Sequence, residues 1–345
     1  MKVLHTWVDR YALFAAIVVG AVGYPLFRRL TPLLPPMIFL MLFFTFCKID
    51  PLDLRLRRWH GIALLVQLAL AFGSYYALLL LGGCCEVLGQ PLVAQSVMLC
   101  FLMPTAAAAP VIAGKLGGSI QNLTTFTLLS NAATAVIVPV FFPVVNPMEG
   151  MTFGVASWLI LRKVGPLLLG PFLSAWLLRV VWNIIPAHRR DGRTFTLSHS
   201  FAQWPFYLWI GTIVILMGQM VDMLILQPVD VYSLLVMTIG AAVSCALQFV
   251  LGWHIGNRWP ADTHGTDYKD VVINPAAAPT TKQGISRLTA GQALGQKNTT
   301  LAIWMAQTYL LPLSSVGPAA YMIVQNIVNS AQLHRAAKTH RTKWE

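Results

Sequence analysis

The sequence has 345 residues, of which 57% are hydrophobic and only 10% are charged, and its mean hydropathy is +0.66. An ordinary soluble domain has about 25% charged residues, so this composition excludes one and indicates a helical membrane protein. The formal net charge is +12, but the basic residues lie between the apolar runs and therefore indicate membrane orientation rather than nucleic-acid binding. The apolar runs are continuous and long enough to span a bilayer as helices, unlike the short alternating segments of a β-barrel.

Five of about ten predicted membrane spans lie in residues 1–148. They cover about 11–27, 33–47, 60–81, 91–118 and 119–145. The fourth span contains Pro104 and Pro110, each of which removes a backbone donor and disfavours helix at the residue before it. This span is therefore predicted to be interrupted.

The other five predicted spans lie in residues 149–345. They cover about 164–185, 202–226, 231–255, 287–313 and 316–334, and a separate short apolar segment at 151–161 precedes them. The ninth span contains a polar stretch from Thr289 to Thr300 that includes Lys297. A lysine near the middle of a bilayer costs about 2.5–3.5 kcal/mol, so it indicates a functional site with internal partners.

The charges of the loops predict that both termini lie in the cytoplasm. With this orientation most lysines and arginines lie in inner loops, and the outer loops keep little beyond Arg28, Arg29, Arg162 and Lys163.

No zinc, nucleotide or catalytic-triad motif is present, so we expect neither an enzyme nor a cofactor. The five cysteines lack metal-ligand spacing and are predicted to be small buried hydrophobes.

The two halves of the sequence resemble each other. Gln67 in the third span and Gln248 in the eighth each lie one span before an interrupted helix. Residues 1–148 therefore map onto 149–345, and because five is an odd number, the second copy enters the membrane from the opposite side. Paired interrupted helices in two inverted halves point to the midplane binding site of a transporter.

Several residues at these breaks match one family pattern. They are Pro104, Gly118, Thr127 and Pro139 in the first half, and Gly295, Asn298 to Ala302, Pro318 to Tyr321, Gln325 and Asn326 in the second. On these residues the chain resembles the bile acid:sodium symporter family over nearly its whole length. The resemblance implies a secondary transporter of the bacterial inner membrane, which carries a small organic anion, a carboxylate or sulfonate, by alternating access.

The resemblance also implies an architecture of two inverted five-helix repeats. A core domain would comprise residues of about 60–145 and 231–334, with interrupted helices four and nine crossing in it, and a panel domain about 11–47 and 164–226. Substrate would bind between core and panel. The expected substrate contacts are Thr105, Ala106, Ala107 and Ala108 at the first break, and Asn298, Thr299 and Thr300 at the second.

The chain departs from the family at its sodium sites. The positions that correspond to one site are Ala109, Pro110, Leu123, Thr127 and Ala293, of which only Thr127 keeps a side-chain oxygen. Ala293 stands where the family has a glutamate that both sites share. A hard cation needs several oxygen ligands, so this position set should bind sodium poorly.

At the second sodium site Gln67 is kept, whereas Lys297 stands where the family has a glutamine. The hypothesis is that Lys297 replaces a sodium ion and donates to unwound carbonyls and to Gln67 or Gln296. A desolvated lysine readily changes its protonation state, so proton coupling, exchange and uniport all stay open. Other interpretations are a structural tether, a lysine that extends to the membrane interface, a sodium symporter with altered sites, and a membrane sensor that transports nothing.

Asp222 is predicted to lie at the interface, or else to pair with Lys297.

Overall fold

The computed structural model describes residues 14–47, 54–184, 204–226, 229–259 and 282–341, and within these ranges the chain forms helices and no strand. The α-helices are α1 (residues 14–22), α2 (Tyr24–Phe27), α3 (Leu34–Phe46), α4 (Arg58–Leu81), α5 (Pro91–Leu102), α6 (Ala109–Lys115), α7 (Ile120–Val145), α8 (Phe153–Ile184), α9 (Trp204–Leu226), α10 (Val231–Arg258), α11 (Lys282–Gly295), α12 (Thr299–Tyr309) and α13 (Val316–Arg341). Two 3₁₀ segments, Arg28–Leu33 and Pro312–Ser315, join neighbouring helices.

Six helical stretches in the described part of the chain are long and apolar enough to cross a membrane. They are Tyr24–Phe46, Arg58–Leu81, Ile120–Val145, Phe153–Trp182, Trp204–Leu226 and Val231–Arg258. Large apolar side chains on them are exposed, for example Leu26 at 61% and Leu80 at 81%, as expected of surfaces that face lipid rather than water. The prediction of an all-helical integral membrane protein is confirmed. The count of ten spans stays a prediction.

Two boundaries differ from the expected ones. The predicted separate segment at 151–161 is part of α8, which continues through Arg162 and Lys163. Both side chains are exposed, and lysine and arginine are good helix formers, so a pair of charges does not end the helix. The predicted loop at Arg28 and Arg29 is instead part of a 3₁₀ helix, so one helical stretch runs from Tyr24 to Phe46.

The chain divides into two compact units. The first comprises Met1–Pro51, Ala135–Val229 and Ile303–Leu313. Within it α3 packs against α8 and α9. Arg28 and Asp222 form an ion pair in which a guanidinium nitrogen lies 2.7 Å from the carboxylate.

The second unit comprises Leu52–Thr134, Asp230–Ala302 and Ser314–Glu345. Its closest helix pair is α10 with α11, where a Cβ added to Gly252 or Gly256 would lie 2.3 Å from a carbonyl oxygen of α11. Two glycines four residues apart let two backbones approach in this way. Helix α4 packs against α5 in the same unit, and α13 packs against α10 and α5.

Candidate functional site

Two interrupted helices meet in the second unit. The segment between α5 and α6 and the segment between α11 and α12 form an isolated antiparallel bridge at Thr105 and Lys297. The N–H of Ala106 donates to the carbonyl of Gln296 at 2.9 Å, and the N–H of Asn298 donates to the carbonyl of Pro104 at 2.8 Å. Each break therefore satisfies backbone groups that the other break exposes.

The local sequence explains why the helices stop at these points. Met103 after α5 has an extended backbone (φ −61°, ψ 145°), as expected of the residue before Pro104. At the other break, a Cβ on Gly295 would lie 2.5 Å from the ring of Phe249, so any larger residue would displace that ring. Helix α6 ends at Lys115, and the turn after it contains Gly117, whose φ of 89° also favours glycine.

A polar side chain from a neighbouring helix holds the bridge residue of each break. The N–H of Thr105 donates to Oγ of Ser130 at 3.1 Å. The N–H of Lys297 donates to Oε1 of Gln325 at 2.9 Å, and the Gln325 amide nitrogen donates to the Lys297 carbonyl at 3.2 Å. The Thr105 hydroxyl additionally donates to the carbonyl of Ala293 at 2.7 Å. The two breaks are thus fixed by corresponding contacts.

Two buried glutamines lie behind the breaks. Gln67 donates from its amide nitrogen to the carbonyls of Leu102 and Met103, both at 3.1 Å. Gln248 donates to the carbonyl of Cys100 at 3.0 Å and to the hydroxyl of Tyr321 at 3.0 Å. The side-chain carbonyl oxygen of each glutamine is buried without a hydrogen-bond partner. Both amides therefore point their nitrogens at carbonyls at the end of α5.

Lys297 is the one charged side chain among the largest fully buried side chains of the described residues. It is 1% exposed, and its Nζ has no hydrogen-bond partner. The expected hydrogen bonds from Lys297 to Gln67 or Gln296 are not formed. Gln67 itself occupies the carbonyls that end α5, and Gln296 donates to Asn329 instead.

A stripe of polar side chains on α13 binds the second break. It consists of Tyr321, Gln325, Asn329 and Gln332, spaced by four, four and three residues on one helix face. The Tyr321 hydroxyl donates to the Gly295 carbonyl at 2.9 Å, and Gln332 accepts from Gln292. Sequence analysis missed this role of α13. The spacing of polar residues in an apolar span was the available signal.

The predicted sodium-site positions lie together, but in apolar surroundings. Ala109, Leu123 and Ala293 belong to a single cluster of buried apolar side chains with Trp59 and Phe126. All eight predicted ion-site residues are buried: Gln67, Ala109, Pro110, Leu123, Thr127, Ala293, Gln296 and Lys297. The one remaining hydroxyl, of Thr127, donates to the Leu123 carbonyl of its own helix at 2.9 Å. Oxygen ligands for a hard cation are therefore scarce here.

The residues predicted to contact substrate differ in exposure. Thr105, Ala107, Asn298, Thr299 and Thr300 are buried, Ala106 is partly buried and Ala108 is exposed. Oδ1 of Asn298 accepts from the N–H of Leu301 at 3.2 Å and so caps the start of α12, while its Nδ2 is buried without a partner. The cap places α12's positive end beside Lys297.

Asp222 lies near the end of α9 in the first unit, where its carboxylate accepts from Arg28 at 2.7 Å. Its partner is thus an arginine of the same unit. Among the described residues, no three His, Cys, Asp or Glu side chains lie close enough together to hold a metal ion.

Fold and composition define the class of this protein as a helical integral membrane protein. A comparison with protein-family models gives no match to the chain, and a comparison with curated proteins gives none either. The resemblance to the bile acid:sodium symporter family therefore stays a hypothesis that the residues at the breaks carry.

Proposed function

We propose that the protein is a sodium-independent secondary transporter of a small organic anion, in which Lys297 takes the place of a sodium ion. The observation that carries this proposal is the Lys297 amino group, which is buried without a hydrogen-bond partner beside the junction of two interrupted helices. A buried cation without a partner is costly. In a transporter, an anionic substrate would supply that partner during the cycle.

Sodium independence follows from the chemistry of the predicted ligand positions. Ala109, Leu123 and Ala293 offer no side-chain oxygen and pack in an apolar cluster. Of the other positions, Thr127 and Gln67 keep side-chain oxygens, and Oε1 of Gln67 is buried without a hydrogen-bond partner. A sodium ion would find few of the several oxygen ligands that a hard cation needs.

An anion is the substrate class that this electrostatic environment favours. Lys297 immediately precedes Asn298, which caps α12, so the residue that carries the amine adjoins the positive end of an eleven-residue helix. A helix N-terminus and a lysine both stabilise carboxylate, sulfonate or phosphate groups. The proposed contacts are therefore the polar groups of Thr105, Asn298, Thr299 and Thr300, with the amino group of Lys297.

The finer architecture is part of the same proposal. It comprises ten spans in two inverted five-helix repeats, with the interrupted helices crossing, both termini cytoplasmic and a bacterial inner membrane as location. The corresponding contacts of Ser130 with Thr105 and of Gln325 with Lys297 support the two-repeat relation. Gln67 and Gln248, each on the helix that precedes an interrupted helix, support it further. The bile acid:sodium symporter family is the proposed relative.

Uptake by the purified protein in liposomes tests the function. A panel of radiolabelled carboxylates and sulfonates is offered with sodium chloride or with choline chloride outside, and empty liposomes serve as the blank. We expect uptake of at least one anion at equal rates in the two salts. Uptake that needs sodium would overturn sodium independence. Binding of an anion without uptake of it would instead indicate a membrane sensor.

The mode of coupling is tested with the Lys297→Gln variant. Proton movement is followed with an internal pH dye during uptake of the identified anion. If Lys297 carries the proton, the variant moves no protons with substrate. A variant that still moves protons with substrate excludes Lys297 as the carrier, and a wild type that moves none leaves exchange or uniport.

A further inference from the structure

A second candidate site lies away from the helix breaks, in a cavity of about 410 Å³ beside α10, α11 and α13. One face of α11 lines it with Gly284 and with Arg287 and Leu288, which lie three and four residues after Gly284. One face of α13 lines it opposite with Gln332 and Arg335. Two arginines from different helices thus border one cavity whose volume is that of an ordinary ligand pocket.

The remaining wall of the cavity is apolar and well packed. Leu116, just after α6, and Trp253 on α10 complete the lining. Trp253 is held in place by Gly291 of α11, where an added Cβ would lie 2.2 Å from the indole ring. The cavity therefore combines two exposed guanidinium groups with an apolar wall made of leucine and tryptophan.

This combination defines the chemistry of the ligand. A guanidinium group recognises phosphate oxygens through two parallel hydrogen bonds, and arginine is preferred over lysine for that purpose. The apolar wall would contact hydrocarbon next to the phosphate. A ligand with both parts is an amphiphile with an anionic head.

We propose that this cavity binds the phosphate head group of an anionic glycerophospholipid, with Arg287 and Arg335 as its ligands and the start of an acyl chain against Leu288 and Trp253. The orientation predicted from the loop charges puts both arginines at the cytoplasmic face, where basic pockets between membrane helices bind anionic head groups. The site is distinct from the helix breaks, because Lys297 does not line the cavity. The proposed lipid site does not depend on the proposal that the protein is a transporter.

Native mass spectrometry of the full-length protein in detergent tests the proposal. Dioleoyl phosphatidylglycerol and dioleoyl phosphatidylcholine, which differ in net head-group charge, are titrated separately. We expect phosphatidylglycerol to bind and phosphatidylcholine to bind at least tenfold more weakly. The Arg287→Gln/Arg335→Gln variant should lower the phosphatidylglycerol affinity about 25-fold, since each basic residue near an anionic surface contributes about fivefold.

Two further variants distinguish lipid binding in the cavity from attraction of the lipid by surface charge in general. Arg258→Gln removes an exposed arginine that lies 5.6 Å from the ring of Trp259 and does not line the cavity, so it should leave the affinity unchanged. Leu288→Trp fills part of the cavity without a change of charge, so it should weaken binding. If the double arginine variant does not fold, a photoactivatable phosphatidylglycerol on the wild-type protein should label residues 284–288 and 332–335.

Four results would overturn the proposal. An equal loss of affinity in the Arg258→Gln control would show that surface charge alone attracts the lipid. Unchanged binding in Leu288→Trp, or labelling outside both segments, would place the lipid elsewhere. Competition by sn-glycerol 3-phosphate at the same concentration as the lipid would show that the cavity binds a soluble phosphate rather than a lipid.

Discussion

Lys297 pairs with Thr105 through its backbone, while its side-chain amino group is buried and has no hydrogen-bond partner. The backbone N–H and carbonyl of Lys297 thus form hydrogen bonds, whereas its amino group forms none. Gln325 satisfies both the N–H and the carbonyl of Lys297. The backbone contacts would therefore persist if the side chain were replaced.

Replacement of Lys297 by methionine is expected to raise stability and to abolish transport. Methionine has a similar length and removes a buried polar group without a partner, which should increase the free energy of unfolding by about 1–3 kcal/mol. Thermal unfolding in detergent and uptake into liposomes measure the two effects. A variant that unfolds at lower temperature and still transports would show that Lys297 has a structural role only.

Sodium is expected to leave the stability of the wild-type protein unchanged. Ligands that bind the folded state raise the unfolding temperature, and the predicted sodium positions Ala109, Leu123 and Ala293 lack side-chain oxygens. Unfolding curves in sodium chloride and in choline chloride at equal ionic strength provide the comparison. A higher unfolding temperature in sodium alone would contradict the prediction.

Tyr321→Phe is expected to destabilise the protein by about 1–3 kcal/mol, because it removes the hydroxyl that donates to the buried Gly295 carbonyl and accepts from Gln248. Tyr309→Phe is the matched control. The Tyr309 hydroxyl is buried and makes no hydrogen bond, so its removal should be neutral or stabilising. Equal effects of the two substitutions on the unfolding temperature would argue against a specific role for Tyr321.

Gly252→Ala is expected to disturb the packing of α10 against α11, because the added methyl group would lie 2.3 Å from the carbonyl oxygen of Ala290. Backbone atoms there must move apart, so we expect a lower unfolding temperature. Gly73→Ala in α4 is the control, since an added Cβ there contacts nothing within 4 Å and alanine favours helix by about 1 kcal/mol over glycine. Destabilisation by Gly73→Ala of the same size would contradict this account.

The predicted orientation can be tested with the native cysteines. Cys84 and Cys85 are exposed in the turn between α4 and α5, whereas Cys47, Cys100 and Cys245 are buried. If the N-terminus is cytoplasmic, this turn lies outside, and a membrane-impermeant maleimide should label intact spheroplasts. The Cys84→Ser/Cys85→Ser variant controls for other sites. Labelling that requires permeabilised membranes would reverse the orientation.

Parts of the fold and of the candidate site were accessible from the sequence. Continuous apolar runs predict membrane helices because only helices and closed barrels satisfy the backbone in lipid. Pro104 and Gly295 mark the two breaks, since proline restricts the residue before it and glycine permits close approach. The continuity of α8 through Arg162 and Lys163 was not predicted, because hydropathy drops at charges that helix propensity tolerates.

The partners at the breaks could not be predicted in the same way. Pairing of Thr105 with Lys297 joins residues far apart in sequence, and hydropathy carries no information about such contacts. No hydrogen bond joins Lys297 to Gln67 or Gln296: the amide nitrogens of both glutamines donate to other groups, and Oε1 of Gln67 is buried without a partner. Competition among several polar groups for a few carbonyls is decided by three-dimensional packing.

The polar stripe on α13 fixes the rotation of this helix about its own axis. Each of its four side chains binds a different group of the α11 segment or of the second break. Insertion of one residue after Val316 would rotate the rest of the helix by about 100° and turn every later member of the stripe away at once. Single-residue insertions should therefore be tolerated in the turn before α13 far better than within its first two turns.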